Sequence, residues 1–199
     1  MKIMLDKSPV KIDEYRDKYG HEFLQLRTPL TSNSLHGCPY GLDNGCFTTF
    51  KRKTWERMLC EAREHKPIFV CLPDIVGSAQ RTIELFKEFE HITNGLPRAL
   101  VVQDGIGVQT INWSRVKAIF VGGSDQFKIS SEAIAVAKTA KMLGKWVHVG
   151  RVNTPLRVQN WIGLADSIDG SGISRFDHML ESVLDSINGE SKQIKMEAI

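Results

Sequence analysis

Ile68-Phe69-Val70-Cys71-Leu72-Pro73-Asp74 is the stretch that decides the fold. Its apolar run has no polar alternation, which is the pattern of a strand covered on both faces, and such strands belong to parallel sheets. Pro67 stops the amphipathic stretch before it, and Asp74 stands just where the strand ends. The arrangement recurs along the chain. Asp43 follows Tyr40-Gly41-Leu42, Gln103 and Asp104 follow Ala99-Leu100-Val101-Val102, and Asp169 closes Ala165-Asp166-Ser167-Ile168. Gly122-Gly123 follow Ala118-Ile119-Phe120-Val121, and Gly150 follows Trp146-Val147-His148-Val149. A parallel β/α protein builds its site at the carboxyl ends of its strands, so polar residues and glycines repeated at that level predict one pocket.

Helical patterns fill the gaps between the strands. Residues 51–65 place Trp55, Met58, Leu59 and Ala62 at helical spacing. Ser78 is placed to cap a helix running to about residue 93, with Ile83, Leu85, Phe86 and Phe89 inward. Further helices are expected over 11–19, 130–143, 155–163 and 174–188, the last with Phe176, Met179, Leu180, Val183, Leu184 and Ile187 inward. Strands alternating with helices imply parallel βαβ units. Seven strands can be counted, beginning with residues 23–26, and a closed barrel of eight is the natural endpoint. The expected fold is a compact (β/α)8, TIM-like barrel with short or missing helices, because 199 residues fall below the usual size of that fold. One domain over residues 1–199 is expected, with 189–199 a flexible tail.

Composition narrows the function classes. A formal charge of +3 is mildly basic, which permits a nucleic-acid partner without demanding one. No apolar run reaches the ~18 residues needed to span a bilayer, so no membrane partner is expected. Residues 1–6 show no signal-peptide core, and a cytoplasmic location is the expectation. The four cysteines, Cys38, Cys46, Cys60 and Cys71, form no CxxC pair. Cys38 with His36 is the closest pairing of metal-ligating types and lacks two further ligands nearby, so no zinc is expected. Cys60 and Cys71 read as small buried hydrophobes.

Several residues are suited to chemistry. A carboxylate at a glycine-rich strand end, as in Asp169-Gly170-Ser171-Gly172, can act as a nucleophile on a sugar carbon, or can simply cap the helix that follows. Asp43 can share acid and base work with it, or can belong to an ordinary Asp-Asn-Gly turn. Asp74 can accept from the N1–H and 2-amino group of a guanine-like base, and the Gln103 amide can both donate and accept. Backbone N–H groups of Gly122 and Gly123 can meet the base O6, and Phe47 can stack on the ring.

Read in order, these segments resemble the tRNA-guanine transglycosylase superfamily over roughly residues 40–178. The family's Asp-Ser-Gly-Gly-aromatic-Gln segment corresponds to Asp43-Asn44-Gly45-Cys46-Phe47-Thr48. Its base-recognising Asp after an apolar strand corresponds to Asp74, its Val-Gln-Gly to Val102-Gln103-Asp104-Gly105, and its Gly-Gly to Gly122-Gly123. Its Met-Gly-x-Gly-x-Pro corresponds to Val149-Gly150-Arg151-Val152-Asn153-Thr154-Pro155. Its Gly-x-Asp-x-Phe-Asp-Cys, leading to Thr-Arg, corresponds to 165–170 and then Ser174-Arg175.

The resemblance implies Asp169 as nucleophile and Asp43 as general base or orienting acid. It implies base binding by Asp74, Gln103, Gly122, Gly123 and Phe47, with Val149 and Gly150 on the opposite side, and phosphate contacts from Arg151 and Arg175. The chain departs from the tRNA enzymes in having no cysteine after Arg175 where they carry a cysteine-rich zinc segment, and no appended RNA-binding domain is expected. Gly170 also stands where Cys is usual, and Ser124 where many bacterial members have Leu. The compact pattern is more similar to the zinc-free DNA-modifying branch of phages and bacterial modification islands, which exchanges guanine in DNA for a 7-deazaguanine such as preQ0. DNA is therefore the expected partner and a 7-deazaguanine base the expected small molecule, with no cofactor. Base exchange in tRNA and a non-catalytic nucleic-acid-binding barrel stay open as alternatives, as does a homodimer.

Overall fold

The computed structural model describes residues 1–31, 33–35 and 37–197. Eight parallel strands close into a barrel in sequence order: β1 Lys2–Leu5, β2 Phe23–Arg27, β3 Tyr40–Leu42, β4 Phe69–Cys71, β5 Arg98–Val102, β6 Ala118–Val121, β7 Trp146–Val149 and β8 Ser167–Asp169. The ring closes between β1 and β8 in the register Lys2↔Ser167, Ile3↔Ile168 and Met4↔Asp169. The (β/α)8 barrel expected from the strand–helix alternation is thus the fold of the chain. β1 was missing from the seven-strand count. Its apolar run, Ile3-Met4-Leu5, is ended by Asp6 like the others but sits in an otherwise polar segment.

Alternation along the strands builds two cores. Met4, Leu24, Leu26, Phe69, Cys71, Ala99, Val101 and Ala118 point into the barrel, with Phe120 and Trp146 packed against them. Ile3, Leu5, Phe23, Leu42, Val70, Val102, Ile119, Val121, Val147 and Ile168 point outward into the helix layer. Each fully buried Val, Leu, Ile or Phe contributes ~1.5–3 kcal/mol. Gly41 is needed inside β3, since a Cβ there would lie 2.5 Å from Cζ of Phe69, whose ring fills the space.

The outer layer comprises α1 Pro9–Tyr19, α2 Arg52–Glu64, α3 Ala79–Phe89, α4 Asp125–Lys128, α5 Ser131–Met142, α6 Pro155–Gln159, α7 Ser171–Arg175 and α8 Asp177–Glu197. Ser78, Ser130 and Thr154 cap their helices by accepting from Arg81, Ala133 and Arg157 N–H groups. The β2–β3 connection carries no helix among its described residues, and β5–β6 is bridged by two 3-10 turns, Val108–Thr110 and Trp113–Arg115. These economies fit the barrel into the short chain. The single final helix expected from residue 174 is instead two. Phe176 adopts φ −124°, ψ 113°, breaks the run, and is 52% exposed rather than inward. α8 continues to Glu197, beyond the expected stop near residue 188, and residues 198–199 of the expected tail lie outside the described residues.

Candidate active site

The carboxyl ends of the strands open on a cavity of about 470 Å³. Asp43, Asp74, Gln103, Gly122, Gly123 and Asp169 all line it, as do Phe47, Arg151 and Arg175 at its mouth. The period of two puts Asp43, Gln103, Gly122 and Asp169 on the inward face of their strands, since Leu42, Val102, Val121 and Ile168 face the helices.

The Asp-Asn-Gly segment is a turn and part of the site at once. Asn44 Nδ2 donates to Leu72 O at 2.6 Å and to Asp74 Oδ1 at 2.8 Å, while its Oδ1 accepts from Cys46 N–H at 2.7 Å. Asn44 is 2% exposed and ties the end of β3 to the end of β4. Gln103 Nε2 donates to Asp74 Oδ2 at 2.6 Å, and Gln103 Oε1 accepts from Gly77 N–H at 3.0 Å. Each oxygen of Asp74 thus accepts from a carboxamide, with the Cys46 thiol as a further partner, and lone pairs remain for a ligand. Gln103 acts first of all on Asp74, leaving one amide hydrogen uncommitted. The N–H of Gly122 is spent on Val102 O, whereas that of Gly123 has no partner among the described residues.

Electrostatics separate the three acids. Burial, then the charges of Asp169 and Asp74, push the Asp43 carboxyl up to about 7, against its hydrogen bonds from the Asn44 and Gly45 N–H groups. Burial also raises Asp74, opposed by the bonds from Asn44 and Gln103. Close to neutrality Asp43 can therefore hold a proton and exchange it, which is what a general acid–base requires. The same shift affects stability. The folded value of Asp43 lies above its unfolded value, so its contribution is fully present below pH ~4 and is lost as pH rises through about 7. Asp43→Asn removes this loss. The variant is expected to be more stable than the parent above pH 7, by an amount of order a few kcal/mol, and to match it near pH 4. Urea midpoints at the two pH values check this.

Asp169 is 13% exposed. His148 Nε2 lies 2.8 Å from its Oδ2, and the backbone N–H of Arg151 donates to its Oδ1 at 3.2 Å. Arg151 sits at φ +61°, a left-handed conformation that costs a side-chain-bearing residue about 1 kcal/mol or more and that aims its N–H at the carboxylate. Its guanidinium carbon lies 4.3 Å from the centroid of the 61%-exposed Phe47 ring, and Nη2 donates to Gly123 O. Arg175 is exposed, and its side chain makes no hydrogen bond or ion pair among the described residues. Lys51, which precedes α2, and Arg52 and Lys53 in its first turn are exposed and away from the cavity lining.

Two expected base contacts are corrected. Val149 does not face the cavity. The strand period turns it outward into the helix layer, fully buried. Gly150 lies beneath the cavity rather than in its wall. Its carbonyl accepts from Lys128 Nζ at 2.7 Å, and a Cβ there would meet the Phe120 ring at 2.6 Å. Asp104 turns aside to accept from Ser124 N–H and Oγ, bracing the loop after β6. His148 and Asn44 were missed as site residues. His148 shares the inward face with Gly150, two positions on, and that register was the available signal. Asn44 was hidden by its reading as a turn residue. Cys60 is exposed, contrary to expectation, Cys71 is buried, and all four cysteines are free. His36, and with it the Cys38–His36 pairing, lies outside the described residues.

Gly170 is dictated by packing. Asn153 Oδ1 accepts from the Gly172 and Ile173 N–H groups at 2.8 and 3.2 Å, starting α7. A Cβ on Gly170 would lie 2.2 Å from that oxygen and 2.7 Å from Val152 O. Gly170→Ala is expected to cost about 1–3 kcal/mol, read as a lower midpoint in thermal melting.

The class defined by fold and site is a β/α barrel with three carboxylates gathered at the carboxyl end of its strands. No protein-family model matches the chain, and no curated protein matches it. Among solved structures it is similar to a point mutant of flavocytochrome b2, with TM-score 0.47 and 13% identity, covering 85% of this chain and 55% of that one. It is also similar to the Bacillus subtilis YkuI protein, which has an EAL domain, with TM-score 0.38 and 10% identity, covering 94% of this chain and 49% of that one. The chain spans about half the length of these two proteins. No helix among the described residues is long and apolar enough to cross a membrane.

Proposed function

We propose that the protein is a transglycosylase that exchanges guanine in DNA for a 7-deazaguanine base of the preQ0 type. The observation that carries this reading is the convergence of Asp43, Asp74 and Asp169 on one cavity large enough for a purine. Around the barrel the groups follow the edge of the base in order. Asp74 on the β4 side suits N1–H and the 2-amino group, the free N–H of Gly123 after β6 suits O6, and Asp169 on β8 is left for the glycosidic side at N9.

A guanine must first leave the duplex stack, at a cost of a few kcal/mol. Arg175 and Arg151 at the mouth supply positive charge for the flanking phosphates. Asp169 attacks C1′ as the C1′–N9 bond breaks. The bonding pair leaves with guanine, which takes its proton from Asp43 directly or through a water. The result is a glycosyl ester on Asp169. A deazaguanine then gives its N9 proton to Asp43, attacks C1′, and releases the Asp169 carboxylate. The steps use no redox cofactor, nucleotide triphosphate or metal.

The test is incubation with labelled 7-cyano-7-deazaguanine and either duplex DNA or tRNA, followed by mass spectrometry of the digested nucleosides. Label in DNA is expected. Label in tRNA alone would reassign the polymer, and label in neither would overturn base exchange.

A further inference from the structure

The floor beneath Asp169 holds a chain of hydrogen bonds that fixes a proton position. Trp146 Nε1 donates to Ser167 Oγ at 2.9 Å, and Ser167 Oγ lies 2.8 Å from His148 Nδ1. His148 Nε2 lies 2.8 Å from Asp169 Oδ2. Ser167 and His148 are fully buried. The indole can only donate, so Ser167 Oγ accepts from it. The Ser167 hydroxyl proton then needs an acceptor, and among the described residues the one in reach is His148 Nδ1. The arrangement that leaves no buried proton unpaired puts the imidazole hydrogen on Nε2, aimed at Asp169. Phe69 and Phe120, with ring centroids 5.2 and 4.6 Å from that of His148 and tilted by 46° and 45° to it, pack against the imidazole and limit its rotation.

We infer that His148, locked in its Nε2–H tautomer by Ser167 and Trp146, is the positioning residue that presents Asp169 for attack through Oδ1. The inference rests on the proposed role of Asp169 as nucleophile. The imidazole hydrogen bond occupies Oδ2 from the buried side, so Oδ1, held only by the Arg151 N–H, is the oxygen free to face the cavity. When Oδ1 bonds to C1′, Oδ2 becomes the ester carbonyl oxygen and still accepts from Nε2–H. When the second base displaces Oδ1, negative charge returns to a carboxylate whose partner is already oriented. With Nδ1 committed as an acceptor and Nε2–H as a donor, His148 takes no proton from substrate, and Asp43 remains the group that moves it.

Long-range proton–nitrogen NMR correlation on histidine-labelled protein reads the tautomer directly, with the His148 signals assigned by their loss in His148→Gln. Nε2–H with bare Nδ1 is expected in the parent, and a mixture of tautomers in Ser167→Ala. An Nδ1–H parent, or a Ser167→Ala spectrum unchanged from it, overturns the lock. In steady-state base exchange, His148→Phe is expected to lower kcat ~10–100-fold, the size of effect seen when the partner that orients a metal-ligating residue is lost, with the KM for the base within about threefold. His148→Gln, which restores an N–H toward Oδ2, is expected to recover part of the loss. Parental kcat in a folded His148→Phe overturns the positioning role. Should the parent protein exchange no base in any polymer, the proposed function fails, while the spectra still decide the lock.

Discussion

Asp169→Asn is expected to abolish base exchange, with kcat reduced ~10⁴-fold or more, equivalent to about 5.5 kcal/mol of transition-state stabilisation. The substitution is nearly isosteric, and the carboxamide oxygen can still accept from His148 Nε2–H. What it removes is the anionic oxygen that, in the proposed mechanism, bonds to C1′. The loss therefore reports chemistry rather than collapse of the barrel, and a thermal midpoint close to the parent's should accompany it. Quenching the parent enzyme with labelled DNA and no incoming base should leave a covalent protein–DNA species on a denaturing gel, and Asp169→Asn should leave none. An Asn variant retaining a tenth of parental kcat would exclude Asp169 as the nucleophile.

The second large effect belongs to Asp43. Its carboxyl is lifted to about 7 by burial and by its two acidic neighbours, and in the proposed mechanism it gives a proton to the departing guanine only while protonated. Above pH 7 the protonated fraction falls tenfold per unit, so the rate of guanine release is expected to fall with it. Asp43→Asn holds no transferable proton. It is expected to lose ~10²–10⁴-fold in release rate and to flatten the alkaline limb of the profile. Pre-steady-state release of labelled guanine between pH 5.5 and 9 checks both points. A parental profile still rising beyond pH 8 would remove Asp43 from the proton transfer. The stability gain expected of the same variant above pH 7 belongs with this result, because a site that crowds three carboxylates sacrifices stability for reactivity.

The barrel was legible because its strands are continuous apolar runs, each ended by a polar residue or glycine, and that pattern survives even in strands of three residues such as β3, β4 and β8. β1 escaped because its neighbours in sequence are polar and its partners, β2 and β8, are distant in the chain. The break at Phe176 escaped because the apolar spacing of α8 runs on unbroken through Phe176, while the boundary is a backbone event: the Phe176 N–H closes α7 on Gly172 O and its carbonyl opens α8 by accepting from the Met179 and Leu180 N–H groups. Within the site, the lining by Asp43, Asp74 and Asp169 followed from their strand-end positions. The orientations of Val149 and His148 were equally fixed by the period of two. Val149 was placed in the pocket by resemblance, against that period, and His148 was passed over although its register pointed inward. Hydrogen-bond roles such as those of Asn44 and Gln103 depend on contacts between strands and have no local signature.

The doubly engaged carboxamide of Asn44 has a consequence for laboratory evolution of this cavity. Its donor and acceptor ends are both consumed in joining two neighbouring strands, so codon changes at 44 will mostly yield misassembled clones. Libraries aimed at altered ligand choice should leave that position fixed and diversify exposed lining positions such as Leu30 and Val76, whose apolar side chains fasten no strand to another.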